Sequence, residues 1–211
     1  MHVLLVGATG EVGSKLLARL LADDRILYVT IWSRRAIDLN NPKLTTRIVD
    51  FENLPPESDD DIDAVVCCVG TTIKKAGSRK AFREVDYDIC LNVATWAESQ
   101  GINQFHVISA NGANPDSLFF YNRVKGEMEE ALFQLPIPYM YVYRPNLIDS
   151  DRSEKRPLER FAILLFRALN PLLIGPFRSL ASIKSERIAQ GIHTRLFDAQ
   201  VGYHIIASKN I

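Results

Sequence analysis

An apolar strand that runs straight into three spaced glycines and then into a helical leucine pattern leaves few folds open. Here Val3-Leu4-Leu5-Val6 leads into Gly7-Ala8-Thr9-Gly10-Glu11-Val12-Gly13, and Leu16, Leu17, Leu20 and Leu21 follow at helical spacing. A strand that ends in a glycine turn and feeds a helix aims backbone N–H groups, and the positive end of the helix dipole, at whatever anion sits there. Gly7 permits the tight turn, Gly10 lets a ligand approach the backbone, and Gly13 lets the helix lie close on the sheet. Thr9, Glu11 and Val12 complete the loop, and all six residues are candidate contacts to a pyrophosphate.

Strand-like runs alternate with helical segments along the rest of the chain. Strands are expected at Val3 to Val6, Ile26 to Trp32, Thr46 to Val49, Ala64 to Val69, Phe105 to Ser109 and Tyr139 to Tyr143, with helices over 11–22, 79–100 and 121–134. Repeated strand, helix, strand implies an α/β fold with a doubly wound parallel sheet, a Rossmann fold. After Arg144-Pro145-Asn146 come a charged turn, an apolar helix over Leu158 to Leu169, a helix near 185–198 and a closing strand near Tyr203 to Ala207. We expect one domain over 1–211, with a cofactor-binding core at 1–147 and a small C-terminal part, 148–211, covering the substrate. The 158–169 stripe is read first as a lid over its own domain, ahead of a homodimer or membrane contact.

The 25 basic and 25 acidic residues balance to zero net charge, so no overall field recruits nucleic acid or an anionic membrane. The expected partner is a small-molecule substrate, with no membrane span and no metal, and the homodimer stays open. Three cysteines, Cys67, Cys68 and Cys90, suggest neither a disulfide framework nor a metal site. With a strand at the very start and no leader pattern, a cytoplasmic location is expected.

The end of the second strand bears on which dinucleotide is bound. Where an acidic residue would grip a ribose 2'-hydroxyl of NAD, the chain has Ser33-Arg34-Arg35. A guanidinium fork matches phosphate oxygens, so Arg34 with Ser33 is read as the holder of a 2'-phosphate and NADP(H) as the cofactor. The chemistry is expected in Ser109, Tyr121 and Lys125. Tyr121 and Lys125 are four apart in a helical segment and share a face, while Ser109 ends a central strand. An ammonium near a phenol of reference pKa about 10 favours its phenolate and makes Tyr121 a usable acid.

At these residues the chain resembles the short-chain dehydrogenases/reductases, in the atypical branch of the Tat-interacting-protein oxidoreductases and their bacterial relatives. The resemblance rests on Gly7 to Gly13, Asp50-Phe51, Cys67-Cys68-Val69-Gly70-Thr71-Thr72-Ile73-Lys74-Lys75-Ala76-Gly77, Ser109 to Ala113, Tyr121 to Gly126 and Arg144-Pro145. It implies that Asp50 and Phe51 border the adenine, that Val69, Gly70 and Thr71 line the ribose, and that Pro145 sits near the nicotinamide. Lys125 would bind the nicotinamide ribose, and Ser109, Tyr121 and Lys125 match the catalytic serine, tyrosine and lysine. NADPH would then reduce a carbonyl whose oxygen Ser109 holds and Tyr121 protonates. Asn92 is a weaker candidate for a proton relay, and His106 is read as core. The alternative is an NADP(H)-binding regulatory or interaction module with little or no turnover.

Overall fold

Strands buried on both faces read as unbroken apolar runs, and β1 (His2–Val6) is such a run, with Val3 to Val6 shielded from solvent. A computed structural model describes residues 1–58, 60–149 and 182–211. In chain order β1 is followed by α1 (Glu11–Ala22), β2 (Tyr28–Ser33), β3 (Leu44–Ile48) and β4 (Ala64–Cys67). Then come α2 (Ile73–Ala76), α3 (Arg79–Arg83), a π-helical turn (Glu84–Asp88), α4 (Ile89–Ser99), β5 (Gln104–Ile108), α5 (Phe120–Phe133) and β6 (Tyr139–Arg144). Short β7 (Ile148–Asp149) and β8 (Ile183–Lys184) pair with each other, and α6 (Ser185–Phe197) and β9 (Gly202–Ala207) follow.

The seven-stranded sheet runs in the order β3-β2-β1-β4-β5-β6-β9 with every pair parallel. The chain winds outward from β1 to β3, then crosses back to β4 on the other side of β1. That reversal opens a crevice at the carboxyl ends of β1 and β4, where ligands of doubly wound sheets bind. Alternate residues serve opposite faces. Val3, Leu5 and Ile31 pack with Leu16 and Leu20 of α1 and Ile188 and Ile192 of α6. Leu4, Val6, Val65 and Phe105 pack with Val93 and Ala94 of α4 and Met128 and Leu132 of α5.

Three expectations change. The helix over 79–100 is three pieces, because the π turn at Glu84–Asp88 widens the winding between α3 and α4. The strand over Ala64 to Val69 ends at Cys67, since Val69 and the residues after it leave the ladder for a loop. The described residues of 148–211 largely finish the fold: β9 extends the sheet beside β6 and α6 packs beside α1. The 158–169 helix, and with it the lid assignment, lies outside the described residues. No described helix is long and apolar enough to cross a membrane. Among the described residues no group of side chains could hold a metal.

Candidate active site

Register alone gathers the candidate residues. Val6 pairs with Trp32 on one side and Cys67 on the other, so Gly7 lies level with Ser33 and Cys68 at the carboxyl edge. Cys67 pairs with Val107 and Ile108 with Tyr143, which brings Val69, Ser109 and Arg144 to the same edge. The Ser109 N–H donates to Tyr143 O at 2.7 Å and the Asn111 N–H to Pro145 O at 2.8 Å, closing the mouth between β5 and β6.

At the first of these strand ends the glycines are sterically required. A Cβ on Gly13 would lie 2.2 Å from Gly7 O, so α1 can start this close to β1 only without a side chain there. Gly7 has φ +85° and accepts a 2.9 Å bond from the Gly10 N–H. Gly10 occupies the N-cap of α1 and provides no side-chain cap, leaving that helix end to satisfy its amides from elsewhere. Thr9 and Val12 lie in this loop and first turn. The Glu11 carboxylate accepts a 3.0 Å hydrogen bond from Ser185 Oγ and so ties the loop to α6, which leaves its backbone as its part in an anion site.

Beyond β2, the Ser33 hydroxyl donates to Arg35 O at 2.5 Å, within its own turn. Arg34 is exposed and has no carboxylate partner among the described residues. Asp50 accepts bonds from the Asn53 amide at 2.8 Å and the Glu52 N–H at 3.0 Å, and these hold its carboxyl below the usual range. Phe51 is buried, and its carbonyl accepts from Asn92 Nδ2 at 2.9 Å. Asn92 therefore anchors the Phe51 loop to α4.

The β5 and α5 residues form the floor. Ser109 is 3% exposed, and its Oγ has no hydrogen-bond partner among the described residues. An unpaired buried hydroxyl is costly, on the order of 1–3 kcal/mol, and this one lies at the strand mouth. Lys125 Nζ lies 2.8 Å from Asp86 Oδ1 and donates to Ile108 O at 3.3 Å, with both side chains of the ion pair almost fully buried. Burial opposes the ammonium, yet the facing Asp86 carboxylate holds Lys125 above its ordinary range. The Tyr121 ring packs 5.5 Å from that of Phe82. Gly126 lets α5 close on the loop after Ser109, since a Cβ there would meet Asn114 C and Pro115 N at 2.2 Å.

Two departures from expectation stand out. Tyr121 titrates above the ordinary tyrosine value: burial acts most strongly, Lys125 lowers it as expected, and Asp86 raises it again. Asp86 is the second, a functional residue that motif spacing does not pick out. It sits in the π turn, and its Oδ2 accepts the Thr71 N–H at 2.8 Å, linking the loop Val69-Gly70-Thr71 to Lys125. The sequence does carry a signal for it: Asp86 lies four residues after Phe82 and four before Cys90, an acid in the middle of a buried stripe. His106 is core, held between Gln104 Nε2 and the Tyr143 hydroxyl at 2.9 Å each. The three cysteines are free thiols.

The comparisons with known proteins agree with this geometry. A family model described as NAD(P)H-binding matches residues 7–161. The chain belongs to that family. It is an atypical short-chain dehydrogenase/reductase and resembles rat HTATIP2, with 35% identity over 172 residues that cover 79% of this chain and 71% of the rat protein. The mitochondrial protein fmp52 of Emericella nidulans is 33% identical over 181 residues, covering 80% of this chain and 76% of the fungal one. Among solved structures, MoeE5 in complex with UDP-glucuronic acid and NAD superposes with a TM-score of 0.73 at 15% identity, over 97% of this chain and 75% of MoeE5. Human epimerase family protein SDR39U1 with NADPH gives 0.62 at 19% identity, over 93% and 70%. At those identities the likeness concerns the fold. The residues present fit a nicotinamide dinucleotide: Gly10 gives the start of α1 no side-chain cap, and Ser109, whose hydroxyl is orphaned among the described residues, follows β5 at the same sheet edge.

Proposed function

We propose that this chain is an NADPH-dependent oxidoreductase that transfers hydride between NADP(H) and a small carbonyl or alcohol substrate. The observation that carries this reading is the buried, unpartnered Ser109 Oγ at the mouth of β5, beside a helix on which Tyr121 and the buried Lys125 share one face. When bound, the nicotinamide supplies the hydride. Ser109 then donates to the substrate oxygen and ends its own unpaired state, and Tyr121 passes a proton to that oxygen. Lys125, fixed by Asp86 and Ile108 O, stands by to hold the ribose and Tyr121. Gly7, Gly10 and Gly13, with the amides of Glu11 and Val12, receive the pyrophosphate, while Phe51 and Asp50 flank the adenine and Pro145 the nicotinamide.

The preference for NADP(H) rests on Arg34, which stands past β2 beside the glycine loop, with no acid between Asp24 and Asp38 to repel a 2'-phosphate. A cytoplasmic location remains part of this proposal, and cell fractionation tests it. Turnover is tested by mixing the protein and NADPH with a panel of aldehydes and ketones and following loss of the reduced nicotinamide's absorbance. Oxidation of NADPH that depends on the carbonyl and on Tyr121 supports the reading. Tight NADPH binding with no turnover across the panel would instead favour a cofactor-binding regulatory module.

A further inference from the structure

A buried carboxylate faces the catalytic lysine, and the reaction as written gives it nothing to do beyond holding that lysine. Asp86 is 1% exposed, pinned on one side by the Thr71 N–H and paired on the other with Lys125 Nζ at 2.8 Å. We propose that Asp86 is a positioning residue that cancels the Lys125 charge at Tyr121, keeping Tyr121 a phenol, so that the site is built to give a proton to a carbonyl oxygen rather than take one from an alcohol. This rests on the reading of Tyr121 as the proton-transfer group.

A lone ammonium one helical turn from a phenol would draw it toward phenolate, the form an alcohol oxidation needs at neutral pH. A carboxylate in contact with that ammonium turns the charge into a short dipole, whose field at Tyr121 is much weaker than that of the lone cation. The groups around Tyr121 leave little else to restore the field. Lys125 comes from α5, Asp86 from the π turn and the apolar Phe82 from α3, while Arg83 is matched by Glu127. Cys90 on α4 and Cys67 on β4 are buried thiols in contact with each other at 3.7 Å, and their mutual contact and burial hold Cys90 well above the ordinary thiol range. The position of Tyr121 above its ordinary value is in line with this balance.

The chemistry balances in the reducing direction. Two electrons arrive as hydride at the carbonyl carbon from the reduced nicotinamide cofactor already proposed, and the C=O π pair moves onto oxygen. The Tyr121 O–H bond breaks to supply the proton. The phenolate left behind is reprotonated from solvent, so Tyr121 ends as it began.

The test needs neither substrate nor cofactor. Tyrosine labelled with carbon-13 at Cζ reports each phenol by NMR, the Tyr121 signal being the one lost in Tyr121→Phe, and its titration midpoint is followed in three proteins. Asp86→Asn keeps the shape and the acceptor for the Thr71 N–H but removes the charge, so the midpoint moves to lower pH than in the wild type. Lys125→Met leaves the carboxylate unopposed, and the midpoint moves to higher pH. Simple loosening that lets water reach Tyr121 would lower both, so opposite directions are the signature, and any other combination overturns the proposal. Should Asp86→Asn fail to fold, Asp86→Ser removes the same charge and is read in its place beside Lys125→Met: a fall supports the proposal, and no change or a rise overturns it. The enzyme reading fails separately, through turnover that survives Tyr121→Phe.

Discussion

Two parts of one site obey different physics. The floor, made by Ser109, Lys125 and Asp86 with His106 on β5, is buried; Lys125, Asp86 and His106 each answer to fixed neighbours, while the Ser109 hydroxyl has none among the described residues. The rim, made by Arg34, Arg35 and Asp50, stands in water, and its groups make local turns or no ion pair at all. In the floor, charges act through a low dielectric and are coupled, so one change is felt by several groups. On the rim they act through solvent and salt, and their effects are small and separable. The floor therefore suits the shared chemistry of a family and the rim its choice of cofactor.

The contrast is tested most severely at Tyr121. Tyr121→Phe removes one hydroxyl from the floor and leaves the glycine loop and the rim untouched. NADPH affinity should stay within a few-fold of wild type while kcat falls by at least about a hundredfold, the scale for loss of a general acid. Steady-state kinetics beside a cofactor titration checks this, and an unchanged kcat would remove Tyr121 from the reaction.

The next effect is on stability and belongs to the floor alone. Burial, aided by Arg195, lowers the His106 pKa to about 3, against about 6.5 for an unfolded histidine. Below pH 6.5 the unfolded chain binds a proton that the folded one refuses, so stability falls as pH falls, by up to about 1.4 kcal/mol per pH unit until the folded pKa is reached. Urea unfolding at pH 7 and pH 5 should show this loss in the wild type and a smaller one in His106→Gln, which retains hydrogen-bonding groups but does not titrate. Equal losses in both proteins would mean that other groups carry the acid sensitivity.

Arg34 is the rim's counterpart. One bidentate arginine–phosphate contact in a partly exposed cleft is worth on the order of 1.5–3 kcal/mol, so NADPH should bind at least about tenfold tighter than NADH at low salt. The gap should shrink as salt rises, which no floor interaction should do. Arg34→Ala should erase most of the preference and leave NADH binding alone. Fluorescence titration of both cofactors decides it, and a preference that survives in the variant would return Arg34 to the solvent.

How far the sequence reached follows the same division. The parallel sheet, α1, α5 and the position of Gly7 and Ser109 at one sheet edge were legible because buried strands read as apolar runs and helices as 3.6-residue stripes. The break of the 79–100 helix was not, because a π turn is a change of winding within an unbroken helical pattern. Asp86 is hidden with it: its partner Lys125 lies far along the chain, beyond α4 and β5, and local spacing cannot announce such a pair. The Ser33 hydroxyl bond to Arg35 O was hidden for the opposite reason, since a serine at a strand end bonds its own turn as readily as a ligand. The pull of Lys125 on Tyr121 was foreseen with the right sign, and the carboxylate and the burial that outweigh it were not.

The smallest effect isolates what exposure does to a charge pair that serves no ligand. Arg19 on α1 meets Glu186 on α6 at 2.5 Å, with side chains 33% and 49% exposed. One residue on, Leu20 is fully buried between the same two helices, in the cluster that includes Ile188 and Ile192. Water and salt screen the ion pair, and fixing two long side chains opposes it, so Arg19→Ala should lower stability by less than about 1 kcal/mol. Leu20→Ala removes apolar contact and leaves a cavity, which costs about 2–5 kcal/mol. Urea unfolding of the two variants at low and at high salt separates the cases: the Arg19 effect should fade with salt and the Leu20 effect should remain. If Arg19→Ala proved as damaging as Leu20→Ala, the junction of α1 and α6 would be held by charge, and the division between a coupled interior and a separable surface would not extend to it.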